Sequence, residues 1–202
     1  MSLYCFMAGL FVLKRAASFA IIKEMEREVP CVQMQTLLPD CSVRKLQPVN
    51  ADIEKIYAMA SQNMLFYQYH PPFVTWQSIL EDMSALPPGK TRADKFYIGF
   101  FDGAALAAVV DMILAYPNET TGYIGFFMVD KSRQGQGTGS RIVADIENTM
   151  RNNGMCHSRL AVDKGNPQSY SFWTKNGYAV CGPEIPNDFS AYIPMQKELT
   201  PL

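Results

Sequence analysis

The sequence has no excess of either charge: 18 Lys and Arg against 19 Asp and Glu leave a formal net charge of −1. Such a balance carries no electrostatic footprint for nucleic acid or for an anionic membrane surface, so neither is expected as a partner. Cysteine is sparse. Cys5, Cys31, Cys41, Cys156 and Cys181 are scattered and odd in number, without the close pairs of a zinc site or the framework of a disulfide scaffold, and no metal is expected. A reducing cytoplasm is the simplest setting for them. No apolar run reaches the ~20 residues of a spanning helix. The longest candidate, "LYCFMAGLFVL", stops at Lys14 and Arg15, and with no basic residue before it and no small-residue cleavage site after it, a secretory signal is not expected either. Internal repeats, low-complexity tracts and a second domain boundary are all missing after residue 42.

What is present is apolar residue in quantity. A chain of 202 residues with 48% apolar content suits one α/β domain with a good core, here residues 42–202, preceded by an extension over residues 1–41. In the extension Phe6, Leu10, Leu13, Ala17 and Ile21 keep helical spacing. That predicts an amphipathic helix packed on the domain or on a second subunit, a homodimer in the latter case. Pro30 and "LLPDCS" end it near residue 41.

In the domain, Val43 to Leu46 can form a strand stopped by Pro48, and Asn50 can cap a helix with Ile53, Ile56, Tyr57 and Ala60 on one face. A second helix is predicted from Thr75 to Met83, closed by "LPPGK". "FYIGFFDGAALAAVVDMILAYPNETTGYIGFFMV" reads as three strands, with Asp102-Gly103 as a type I′ hairpin signal and a bulge or close approach at Gly125. Ile142, Val143, Ile146 and Met150 give the buried stripe of a helix that Gly154 stops. His157 to Val162 is a short strand. Asn166-Pro167 then caps and opens a helix that Gly177 ends, and "AYIPMQKEL" is a last strand.

Between the third strand and its helix lies "QGQGTGS", with Gly135, Gly137 and Gly139 and no proline from Gln134 to Ser140. Free amides at a helix start, with the helix dipole behind them, favour phosphate. A P-loop would need Lys after the last glycine, where Ser140 stands; a dinucleotide fingerprint would need the third glycine one residue later. What remains is Gln134-x-x-Gly137-x-Gly139. This pattern resembles the pyrophosphate loop of the GNAT acyl-CoA-dependent N-acetyltransferases. The segment from Asn166 to Tyr178 is similar to that family's second signature, Asn-x-x-Ala-x-x-Phe-Tyr-x-x-x-Gly-Phe, with Asn166, Phe172, Gly177 and Tyr178 in register. Ser169 replaces the usual alanine and Trp173 the usual tyrosine. The resemblance covers about residues 42 to 199.

The resemblance implies a mixed, mostly antiparallel sheet flanked by helices and splayed around acyl-CoA. It implies acetyl-CoA as cosubstrate, held by Phe127, Met128 and Val129 along the strand, by Gln134, Gly135, Gln136, Gly137, Thr138, Gly139 and Ser140 in the loop, and by Asn166, Ser169, Phe172, Trp173 and Lys175 beyond it. A backbone amide near Phe127 or Met128 would polarise the thioester carbonyl. The implied reaction is N-acetylation of a primary amine, small or peptidic, by direct attack. An amine with a pKa of about 10.4 is protonated at neutral pH, so the attack needs a base. Asp111 is the candidate base if strand alternation turns it inward; because the indole of Trp173 cannot protonate a leaving thiolate, the thiolate is expected to leave unaided, with Tyr170 the candidate acid otherwise. Phe66, Tyr67, Tyr69 and His70 form an aromatic connection expected to line the acceptor side, or else to cap the core. Glu119 reads as a surface charge and His157 as structural or exposed. Two other functions stay open: a catalytically degenerate acyl-CoA sensor, which Trp173 makes thinkable, and a nucleotide-binding domain reusing the glycine loop.

Overall fold

The computed structural model describes Thr36 and residues 41–200. The expected N-terminal helix lies outside the described residues. The remainder is built on one sheet of eight strands flanked by helices on both faces.

The strands are β1 (Cys41–Lys45), β2 (Lys95–Asp102), β3 (Ala105–Ile113), β4 (Thr121–Val129), β5 (His157–Asp163), β6 (Ala179–Val180), β7 (Ile185–Pro186) and β8 (Ala191–Glu198). The helices are α1 (Asn50–Ala60), α2 (Met64–Tyr69), α3 (Trp76–Ser84), α4 (Thr138–Asn152) and α5 (Pro167–Lys175). In the sheet β1, β2, β3, β4, β5, β8 and β6 are neighbours in that order, with β7 also on β8, and every pairing is antiparallel except that of β4 with β5.

Strand alternation sends side chains to two cores. On one face Val110 and Met112 of β3 and Leu160 and Val162 of β5 meet the apolar stripe of α4, Ile142, Val143, Ile146 and Met150, together with Trp173 and Tyr178. On the other, Tyr97, Val109 and Met128 meet Ile53, Ile56 and Met59 of α1 and Ile79 of α3. Asp111 follows Val110, so it faces the second core, and it is buried there.

Several elements differ from expectation by small, explicable amounts. Asn50 is the first helical residue and not the cap, which is Val49 and makes no side-chain bond. The carboxylate of Asp52 secures this helix start, accepting from the amide of Gln47 at 2.8 Å and from the Arg44 guanidinium. The β2–β3 loop is Gly103-Ala104, since Asp102 pairs with Ala105 and is still in the strand. The aromatic connection contains the short helix α2, and the short strands β6 and β7 are additions at the C-terminal edge.

The functional region follows from one irregularity. β4 and β5 pair over only three rungs, Thr121 with His157, Gly122 with Ser158 and Tyr123 with Arg159, and then part. Close by, Asp111 pairs with Phe126 and Met112 with Ile124, which leaves Gly125 as the extra residue of a β-bulge. A bulge adds local twist and bends its strand. From Ile124 onward the β5-facing edge of β4 therefore has no strand partner among the described residues.

Candidate active site

The glycine loop ends at the start of α4, and its glycines do different work. Gly135 and Gly137 have φ of 75° and 82°, which L side chains adopt only with strain, and no described residue stands within 4 Å of where a Cβ would project. Open space beside an exposed backbone leaves room for a ligand. Gly139 instead permits close packing: a Cβ there would lie 3.0 Å from the Phe172 ring and 3.4 Å from Val129. Gly137 is the N-cap of α4 and makes no side-chain capping bond. The first amides of this 15-residue helix therefore retain donor capacity at the positive end of its dipole.

Gln134 fixes the loop. Its Nε2 donates to the Val129 carbonyl at 2.9 Å and to Asn63 Oδ1 at 2.6 Å, while its Oε1 accepts from Gln168 Nε2 at 3.2 Å. Asn63 in turn donates to the carbonyl of Met59. One bonded chain thus runs from α5 through the loop to the end of α1.

A cleft of about 410 Å³ opens along this loop. Phe127, Met128 and Val129 of β4 border it, followed by Gln134, Gly135, Gly137, Gly139 and Ser140 of the loop. Asn166, Ser169, Phe172, Trp173 and Lys175 close it from the α5 side. Gln136 and Thr138 are not among its lining; the Gln136 amide turns back to the Ser132 carbonyl at 2.8 Å. Asn166 caps α5 by accepting from the Ser169 amide at 3.0 Å, as its place before Pro167 predicts, and its side-chain NH2 has no hydrogen-bond partner among the described residues.

A second, smaller cavity of about 90 Å³ lies on the α1–α3 side of the splayed sheet. Phe66, Tyr67 and His70 line it, whereas Tyr69 packs toward Gly165 instead. Phe66, Phe127, Ser169 and Trp173 belong to both cavities. The two spaces therefore meet at one wall, where β4 and β5 part.

Three carboxylates reach the small cavity: Asp82 of α3, Asp111 of β3 and Asp163 at the end of β5. Asp163 receives His70, whose Nδ1 lies 3.1 and 3.2 Å from its two oxygens. The carboxylate thereby orients the ring and leaves Nε2 to face elsewhere. Asp111, 1% exposed, accepts from Lys95 Nζ at 2.7 Å. Burial pushes the Asp111 carboxyl up to about 7 against the opposing pull of that ammonium. Burial also raises the Asp82 carboxyl and the Tyr67 and Tyr97 hydroxyls, the nearby Asp82 charge adding to the shift of both tyrosines.

Tyr170 is 41% exposed and lines neither cavity. Although one turn from the buried Trp173, it points to the exposed side of α5. Trp173 is buried within an aromatic cluster, with ring centroids 5.7 Å from Phe127, 5.1 Å from Phe172 and 4.9 Å from Tyr178. Glu119 stands in the β3–β4 turn and His157 opens β5.

Sequence reasoning did not single out Asp82, Lys95, Asn63, Asp163 or Gln168. Lys95 was recoverable: an inward Asp111 on a central strand demands a cation, and "DKFYIGF" supplies one on the adjacent strand. Asp163 follows the β5 apolar run directly, where a strand end delivers side chains to a site. Asp82, Asn63 and Gln168 carry no such local mark.

A family model described as Acetyltransferase (GNAT) family matches residues 54–178. No curated protein matches the sequence. Among solved structures, the chain is similar to Ard1 from Thermoplasma volcanium, with 21% identity over 80% of this chain and 99% of that one and a TM-score of 0.60. It is also similar to an acetyltransferase from Thermus thermophilus, with 15% identity, coverage of 82% and 99%, and a TM-score of 0.62. A third likeness is to the PaiA N-acetyltransferase from Thermoplasma acidophilum in complex with coenzyme A, with 18% identity, coverage of 78% and 98%, and a TM-score of 0.57. At these identities the likeness is one of fold.

Proposed function

Because this chain belongs to the acetyltransferase (GNAT) family, we propose that it is an N-acetyltransferase that moves an acetyl group from acetyl-CoA to a primary amine by direct attack on the thioester. The observation that carries the reading is the wall shared by two cavities, formed by Phe66, Phe127, Ser169 and Trp173. A long cosubstrate and a small acceptor can approach it from opposite sides. The PaiA protein of the same fold was solved with coenzyme A, which supports acyl-CoA as the occupant of the larger cleft.

The cleft fits that cosubstrate in its donors as well as its size. The amides at the start of α4 and the Lys175 ammonium suit a pyrophosphate, and Gly137 leaves the backbone approachable. Phe127, Met128 and Val129 present a strand edge that can pair with pantetheine amides as an added strand would. Asn166 offers its side-chain NH2 to one of them. When bound, acetyl-CoA supplies an activated acyl group on a thiol of low basicity, a leaving group that needs no strong acid. An amide of the β4 edge near Phe127 or Met128 polarises its carbonyl.

In this reading the His70–Asp163 pair is the base. His70 lines the acceptor cavity and its Nδ1 is held by Asp163, so Nε2 is the nitrogen that takes the proton. The amine nitrogen forms the new C–N bond, the C–S bond breaks, the sulfur leaves with its electron pair, and the amine proton passes to His70. Asp111, the base expected from the sequence, has one oxygen engaged by Lys95 and sits on β3, one strand removed from the β4–β5 gap. The test is an acetyl-transfer screen over a panel of primary amines, read by product mass. Acetylated product with matching release of CoA supports the reading. Acetyl-CoA binding without transfer to any amine would instead leave an acyl-CoA sensor, and absence of acetyl-CoA binding would overturn both.

A further inference from the structure

The small cavity carries more carboxylate than amine transfer uses. Asp163 is engaged by His70, and Lys95 compensates Asp111. Asp82 has no ion pair among the described residues. More telling than the charge count are two individual atoms. Oδ1 of Asp82 and Oδ1 of Asp111 are both buried and both lack a hydrogen-bond partner among the described residues. Asp111 is 1% exposed, and both residues line the cavity. A buried acceptor left unsatisfied costs about 1–3 kcal/mol, and more when charged. Such groups are few in native proteins and call for an explanation. No described residue supplies the donor they lack, and a ligand entering the cavity can.

The surroundings restrict what that is. Tyr67, Tyr97 and Phe126 supply aromatic and apolar surface, which suits an alkyl stem carrying a cation toward the carboxylates. The cavity, about 90 Å³, is much smaller than the cleft of about 410 Å³, which suits a slender acceptor chain. Asp111 lies on β3, and β4, its neighbour, borders the gap where β5 departs. At one to two strand spacings, its carboxylate stands roughly 5–10 Å from the gap, a span that about four to six bonds of ~1.5 Å bridge.

Resting on the transferase reading, we propose that the acceptor is a short aliphatic diamine. One nitrogen reaches the shared wall and is acetylated; the other stays an ammonium and donates to Oδ1 of Asp82 and Oδ1 of Asp111. The distal ammonium would measure the chain, so that the position of transfer is set by the anchor as well as by the base.

The experiment compares 1,4-diaminobutane with n-butylamine, which has the same carbon chain and one nitrogen fewer. Initial rates of mono-acetylated product are read by mass at saturating acetyl-CoA, with acetyl-CoA affinity measured separately by calorimetry. The wild-type kcat/KM is expected to favour the diamine at least about tenfold, a difference of ~1.4 kcal/mol. In Asp82→Asn that ratio is expected to fall toward one, through a higher KM for the diamine. The ratio is internal to each preparation, and the wild-type comparison requires no variant to fold. If acetyl-CoA binds and n-butylamine is acetylated as well as the diamine, the diamine proposal is overturned and the transferase reading stands. A wild-type preference that Asp82→Asn leaves intact removes the anchor and overturns the proposal also. If acetyl-CoA does not bind, or neither amine nor any other of the panel is acetylated, the transferase reading falls and takes this one with it.

Discussion

Asp111 Oδ2 and Lys95 Nζ lie 2.7 Å apart on adjacent strands, buried together, while the other oxygen of the same carboxylate has no hydrogen-bond partner among the described residues. A carboxyl raised by burial to about 7 holds its proton more tightly in the folded than in the unfolded chain, where the ordinary value is about 3.9. Its contribution to stability is full below that ordinary value and is lost as pH rises through about 7. Asp111→Asn removes the titration and keeps the shape. Relative to wild type, the variant should therefore gain stability between pH 5 and pH 8, as read by urea unfolding. Parallel pH dependences of the two proteins would show that Asp111 stays ionised throughout.

The glycine loop offers a separate test. Gly137→Val should weaken acetyl-CoA binding at least tenfold, ~1.4 kcal/mol, by placing a branched side chain in the space the backbone leaves open. Its positive φ adds about 1–2 kcal/mol of strain. Gly103→Ala, in the β2–β3 turn at φ 56° with equally open surroundings, controls for strain alone and should leave the calorimetric dissociation constant unchanged. Equal effects of the two would sink the assignment of the loop.

His70→Gln should lower kcat by about 100-fold, in the range of general-base catalysis, with acetyl-CoA affinity nearly unaltered. Asp163→Asn leaves the ring without its carboxylate partner and should reproduce part of that loss. Stopped or quenched single-turnover kinetics isolates the transfer step. A wild-type rate in His70→Gln would return the base to Asp111 or to water.

Trp173 fills the joint between Phe127, Phe172 and Tyr178, so its replacement acts through packing. Trp173→Phe should cost ~1–3 kcal/mol of stability as a volume loss in a core; Trp173→Tyr should retain transfer activity. Tyr170→Phe, at an exposed position, should stay within about twofold of wild type, a difference of ~0.4 kcal/mol. Loss of turnover in Tyr170→Phe, together with loss of an alkaline limb in the pH–rate profile, would reinstate a tyrosine acid.

The parts of the fold that announced themselves in sequence are those whose signals are local. Asn166-Pro167 opens α5 and Gly177 ends it, because capping and chain reversal are decided within a few residues. The Gly125 bulge and the loop of Gly135 and Gly137 were legible for the same reason. Side-chain chemistry assembled across the sheet was not. His70 and Asp163 are 93 residues apart, and a pair of that separation leaves no spacing to read. Asp111 was recognised as a carboxylate of interest, yet its role depends on Lys95 and Asp82, which arrive from β2 and α3. Tyr69 and Tyr170 illustrate the same limit: membership of an aromatic stretch or a signature helix does not fix which way one ring turns.

The wall shared by Phe66, Phe127, Ser169 and Trp173 has a kinetic consequence. An acceptor that arrives first meets these shared side chains with nothing to attack and little to hold its reacting end. If acetyl-CoA binds as proposed, a pantetheine arm laid along the free edge of β4 would form the last surface of the acceptor's seat. The expected pattern is compulsory order, acetyl-CoA before amine. Initial-velocity lines should intersect, desulfo-CoA should compete with acetyl-CoA alone, and the amine should bind measurably only when that thiol-free analogue is present.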